Sequence, residues 1–174
     1  QELGSCLRES GVALDLGCGG QKFHENAVGV DIRHNGQLGV GANGNKPAVI
    51  DIEADITRLP FKNQSVDGIL AKHLFEHIID PIPALVEWRR VLKQGGKLVI
   101  ISPDYRYCEA ISVDPSHVHA YTPESVASLL KVCGFTVTRS ENILPGYVFM
   151  VSADAPLYDE TPCETPVEGE AVAV

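Results

Sequence analysis

The run Val12–Leu16 breaks directly into Gly17-Cys18-Gly19-Gly20, with Asp15 one residue before its end. Five largely apolar residues that stop on glycines read as a buried strand entering a tight turn. Further runs of the same kind follow: Val28–Ile32, Ala48–Ala54, Val66–Ala71, Lys97–Ser102, Phe135–Ser140 and Tyr147–Ser152. Pro145-Gly146 between the last two predicts a hairpin, and therefore one antiparallel strand at or near an edge. Helical spacing appears over Ile82–Leu92, opened by Pro81 and Pro83, and over Ser125–Val132. The second has Thr122 as N-cap and Pro123 in the first helical position, and Gly134 stops it. Strands alternating with helices predict an α/β fold, a mostly parallel seven-stranded sheet with helices on both faces in a three-layer, Rossmann-like sandwich.

The first half is less regular. Gly20–Ala27 leaves room for about two helical turns. Residues 33–47 (RHNGQLGVGANGNKP) read as a long loop, either a functional lid or a plain insertion. Helices near the N-terminus are therefore short or missing.

Charge divides the chain. Of the formal net charge of −9, all but −3 belongs to residues 154–174, which hold six acids and no Lys or Arg. We read residues 1–153 as one domain and 154–174 as an acidic, disordered tail. Neither part has the basic footprint of a nucleic-acid binder. A mean hydropathy of +0.02 without a long apolar run predicts no membrane span, and Gln1–Ser10 does not read as a signal peptide. Five cysteines, an odd number without C-x-x-C spacing, fit a reducing, cytoplasmic setting better than a disulfide framework.

The glycine turn selects its ligand. A dinucleotide fingerprint would need a third glycine at position 22, which is Lys22. Asp15 at the end of the first strand would repel a pyrophosphate docked at the following turn. It favours a cofactor with cationic groups, and S-adenosylmethionine carries a sulfonium and an ammonium. Asp31 ends the second strand, where an acid can accept hydrogen bonds from both ribose hydroxyls. Asp55 follows the third, placed to receive an adenine amino hydrogen. Three acids at successive strand ends lie along the carboxyl edge of a parallel sheet, where open α/β folds bind ligands.

VALDLGCGG, VGVDI, ADITRLPFKNQSVDGILAKHLFEHI and WRRVLKQGGKLVII, taken in order, resemble the successive motifs of class I S-adenosylmethionine-dependent methyltransferases, in particular the small methyltransferase domain 11 type. HVHAYTPESVASLLKVCGF resembles a later region of the same family, and the likeness covers residues 12 to 152. It implies the strand order 3-2-1-4-5-7-6 with strand seven antiparallel, and a methylation enzyme, a transferase. By this resemblance Asp15, Gly17, Cys18 and Gly19 surround the methionine part of the cofactor. Asp31 binds the ribose with Ile32 on the adenine, Asp55 and Ile56 hold the adenine, and Lys72 and His73 face the methyl donor. The family's third glycine falls at Gln21, and the early helices are curtailed. The pocket is then more open, or completed by a like copy or another chain.

Two clusters compete for attention. His73-Leu74-Phe75-Glu76-His77 matches the H-x-x-E-H pattern of zinc peptidases, which needs a long helix and a third ligand. Here it follows a buried strand, so Glu76 and His77 read as capping and packing residues, and no metal is expected. His117 and His119 lie in the connection after the fifth strand, where an imidazole could take a proton from a hydroxyl acceptor; a structural role bonded to loop carbonyls is the alternative. Asp104, with Tyr105 beside it, is the third candidate base. The expected reaction is displacement of a sulfonium methyl by an oxygen or nitrogen of a small-molecule, glycan or protein acceptor. The competing reading is a non-catalytic module that binds cofactor or a partner.

Overall fold

The computed structural model describes residues 11–33, 36–37, 47–107, 114–144 and 146–157. Most of the 33–47 loop, the acidic tail from 158 onward, Cys6, Cys108 and Cys163 lie outside them.

Seven strands form one sheet: β1 Ala13–Leu16, β2 Val28–Asp31, β3 Ile52–Glu53, β4 Val66–Lys72, β5 Leu92–Pro103, β6 Thr136–Leu144 and β7 Val148–Asp154. Helix α1 spans Pro81–Val91 and α2 spans Pro123–Val132. The sheet order is β3-β2-β1-β4-β5-β7-β6, and β7 runs antiparallel to both its neighbours. The mostly parallel sheet with one antiparallel strand is what the alternation and the hairpin predict, and the strand order is the one the family resemblance implies. Among the described residues no helix is long and apolar enough to cross a membrane.

Local chemistry sets the helix ends. Asp80 caps α1 by accepting from the Ile82 N–H, and Pro81 fills the first turn, where a missing donor costs nothing. In α2, Thr122 and Ser125 exchange side-chain and backbone hydrogen bonds as a capping box. α1 passes into β5 without a loop, and Gly95, at φ +67°, lies where the β4–β5 register shifts between Leu92 and Lys97.

The register places Leu14, Leu16, Val30, Ile69, Ala71, Leu98, Ile100, Val151 and Ala153 on one face of the sheet. All are buried in one cluster with Leu85, Trp88 and Val91 of α1 and Val126 and Leu130 of α2. Both described helices therefore cover the same face. The other face carries a smaller cluster, Leu70 and Val99 packed with Phe23, Ile101 and Met150. Among the described residues no helix lies on this second face; residues 20–27, where about two helical turns had room, form turns and bends. Strand β3 is also shorter than predicted. The fold extends past the predicted boundary at 153: Asp154 pairs with Lys97 at 2.6 Å, and buried Ala155 exchanges backbone hydrogen bonds with Gly95 and Gly96.

The LPF and RRVLK motifs are two sides of one contact. Glu87 accepts from the Leu59 N–H at 2.7 Å, while Arg90 donates to the carbonyls of Leu59 and Phe61. Trp88, fully buried, donates from Nε1 to the Ile56 carbonyl at 3.1 Å. Helix α1 thus fixes the chain just beyond β3, at the ligand edge of the sheet.

Candidate functional site

β1, β2 and β3 are adjacent and parallel, so Asp15, Asp31 and Asp55 stand at or just past the ends of neighbouring strands. Asp15 is buried and accepts from the Phe23 N–H at 2.7 Å. Burial pushes its carboxyl up to about 6, against the Phe23 hydrogen bond and the positive charges of Lys72 and Lys22. The turn beyond it depends on two glycines with positive φ, Gly17 at +65° and Gly19 at +58°. A Cβ on Gly17 would lie 2.8 Å from Leu74 Cδ1, and one on Gly19 would lie 2.6 Å from Arg33 Nη2. The bare face of Gly19 is thus a berth, and a guanidinium lies in it.

That guanidinium is held by Asp31. Arg33 Nε donates to Asp31 Oδ1 at 3.2 Å and Nη2 to Oδ2 at 3.1 Å; the backbone N–H groups of Arg33 and Gly19 complete the set. Burial works to raise the Asp31 pKa, but these hydrogen bonds outweigh it and hold the carboxyl below its usual range. Asp31 is therefore an ionised acceptor holding two parallel donors. Arg33 is a residue that sequence reasoning missed; its only signal was a base two positions past a strand-end acid. Asp51 was also missed. It accepts from Gly29 N–H and pairs with Lys22, both at 2.8 Å, tying the glycine turn to the approach to β3.

Cys18 is buried, its thiol 3.6 Å from the Val49 carbonyl oxygen. Burial, with Asp15, Asp31 and Asp51 nearby, pushes the thiol up to about 12, so it stays protonated. Ile32 is exposed beside Asp31. Asp55 is exposed, and the N–H and hydroxyl of Thr57 hold its Oδ1 at 2.8 Å, lowering its pKa. Lys72 ends β4, and His73 follows in the left-handed region at φ +51°, an uncommon conformation for a histidine.

The H-x-x-E-H stretch is not a long helix. A single 3-10 turn covers Phe75–His77, and His73 precedes it. Glu76 is instead a buried hub. Its Oε2 accepts from Ser102 at 3.0 Å, and its backbone carbonyl accepts from the N–H groups of Val118 and His119. His119 Nε2 lies 3.0 Å from the Ile79 carbonyl, and its ring packs on Tyr121. Asp104 is fully buried, and the guanidinium of Arg106, reaching it at 2.6 Å, holds its carboxyl below the usual range.

Set against known proteins, residues 14–100 match the family model described as methyltransferase domain. An uncharacterized protein of Methanocaldococcus jannaschii is 31% identical over 150 residues, covering 81% of this chain and 62% of that protein. A demethylmenaquinone methyltransferase of a Mycobacterium species (strain KMS) is 24% identical over 147 residues, covering 68% and 64%. The chain spans less than two thirds of the length of these curated relatives. Among solved structures, a SAM-dependent methyltransferase of Methanosarcina mazei superimposes with a TM-score of 0.66 at 20% identity, over 90% of this chain and 98% of that one. That likeness is one of fold.

Proposed function

The chain belongs to the methyltransferase domain family, and from that premise we propose that it carries a methyl group from S-adenosylmethionine to an oxygen or nitrogen atom of a small-molecule, glycan or protein acceptor. The observation that carries the reading is Asp31. Its ionised carboxylate holds two side-by-side donors over the bare face of Gly19. The paired N–H groups of Arg33 stand in for the two hydroxyls of a ribose. Arg33 must therefore leave Asp31 when a nucleoside arrives.

The rest of the edge suits the same ligand. Asp15, buried and destabilised as an anion, gains from a cationic group placed beside it. Ile32 and Ile56 offer apolar surface to an adenine, with Asp55 to its amino group. Gly17, Cys18 and Gly19 permit close backbone approach, and Lys72 and His73 border the reacting side. When bound, S-adenosylmethionine supplies a methyl already activated by its sulfonium. The protein is left with alignment and exclusion of water. Of the groups named as bases, Asp104 is engaged by Arg106, and His119 Nε2 faces a carbonyl. His117 faces Glu76. In this arrangement Asp104 is tied up in an ion pair, and His119, with Nε2 donating to a carbonyl, keeps only Nδ1 as a proton acceptor; acceptor alignment dominates the reading. The near-neutral body argues for acceptors other than nucleic acid. Free, buried Cys18 and Cys133 fit a cytoplasmic setting. The reading includes a second chain, a like copy or another protein, completing the pocket where the early helices are short.

Calorimetric titration with S-adenosylmethionine and S-adenosylhomocysteine tests the site. Saturable binding, followed by acceptor-dependent formation of S-adenosylhomocysteine, is the expected result. Binding without turnover over broad acceptor panels would favour the non-catalytic module. Absence of binding to either compound would sink the reading.

A further inference from the structure

We propose that Glu76, His77 and His117 form a binding site for a divalent transition-metal ion, with zinc as the best-matched candidate. The inference starts from a buried carboxyl group. Glu76 is 2% exposed, and its Oε1 has no hydrogen-bond partner. Leaving such an oxygen buried and unmatched is costly. The groups around it are imidazoles. His73 Nδ1 lies 3.4 Å from Oε1, and His117 Nε2 lies 4.0 Å from it. The rings of His77 and His117 meet edge-on with centroids 4.7 Å apart, and one ligand atom from each of Glu76, His77 and His117 falls within 4.8 Å of the others. A second polar atom, the Tyr121 hydroxyl, is also buried without a partner, and Tyr121 feels the charge of Glu76.

The surrounding shell orients these donors as metal ligands require. His77 Nδ1 lies 3.2 Å from the Ser116 carbonyl and 3.1 Å from the Ser116 hydroxyl, whose own proton goes to Asp114; with both neighbours left to accept, Nδ1 carries the proton and Nε2 the lone pair. Ser116 is held in turn by Asp114 at 2.6 Å. Ser102 binds the other oxygen of Glu76, fixing the carboxylate plane. One carboxylate oxygen and two imidazole nitrogens make a donor set suited to zinc and its neighbours, and unsuited to calcium or magnesium. Ligand atoms around a tetrahedral ion stand roughly 3.3 Å apart, so small side-chain movements would close the cluster. His73 is the fourth candidate. The ion would tie the 114–119 connection to the tip of β4. The inference rests on this cluster alone and does not depend on the methyl-transfer reading.

The test uses the full chain, freed of metal, titrated with Zn2+ by calorimetry and with Co2+ by visible absorption. One ion per chain is expected, with a tetrahedral-type cobalt spectrum. Glu76→Gln and His117→Gln should each weaken Zn2+ binding by about 100-fold or more, while His24→Gln, remote from the cluster, leaves it unchanged. Circular dichroism of the metal-free variants checks folding. If Glu76→Gln does not fold, His77→Gln and His117→Gln, both only partly buried, carry the test. No saturable binding by the wild type would overturn the site, leaving a water as its occupant. Binding that survives all the cluster substitutions would also overturn it, since the ion would then lie elsewhere.

Discussion

Asp15→Asn is expected to stabilise the protein at neutral pH while impairing the candidate site. The carboxyl is pushed up from 3.8 to about 6, chiefly by burial. A folded-state pKa above the unfolded one means that the folded protein holds this proton more tightly. The stability from that group is fully present below pH 3.8 and is lost as pH rises through about 6. Two units correspond to about 3 kcal/mol. Asparagine escapes that loss. Its amide oxygen still accepts from Phe23, and the charge assistance of the anion's bond is already contained in the pKa of about 6. The net gain at about pH 8 is therefore about 3 kcal/mol, or roughly 6–12 °C in melting temperature for a chain of this size. Urea unfolding of both proteins at about pH 4, 6 and 8 measures it. The gap should be small at about pH 4, open between about pH 4 and pH 6, and stay level above that. A variant less stable than wild type at pH 8, or a gap independent of pH, would refute the argument that Asp15 is a strained anion. The same substitution should weaken S-adenosylmethionine binding, because it removes the charge that a cationic ligand would offset.

Other expectations follow from single contacts. Asp31→Ala should weaken cofactor binding by about 1–3 kcal/mol, read by calorimetry, and an unchanged affinity would mean the ribose site is misplaced. Arg33→Ala should instead tighten binding by roughly fivefold, since the guanidinium no longer competes for Asp31; weaker binding would assign Arg33 to holding the ligand. Trp88→Phe removes the Nε1 hydrogen bond to Ile56 and should cost about 1–2 kcal/mol in urea unfolding. Thr122→Ala removes the cap of α2 and should cost about 1 kcal/mol by the same measurement.

Much of the fold was legible because its signals are local. A strand that is buried on both faces reads as an unbroken apolar run, and Thr122-Pro123 announces a helix start wherever it stands. The strand-end acids were legible for the same reason: Asp15 and Asp31 sit at fixed places relative to apolar runs that the sequence delimits. The turns over 20–27 were less so, since helical room is not helical stability, and eight residues need tertiary packing to hold a helix. β3 was overread because its apolar residues pair with β2 for only two positions.

What the sequence alone determined is the order of strands and helices, and with it the carboxyl edge at which the acids stand. What only the tertiary structure decided is who meets whom there. That Arg33 lies on Asp31 over Gly19, and that a buried Glu76 faces His117 from 41 positions away, depends on side chains from separate segments sharing one low-dielectric space. Periodicity and propensity report how each residue sits on its own element. They carry no information about the distance between elements, and the electrostatics of the site depend on that distance.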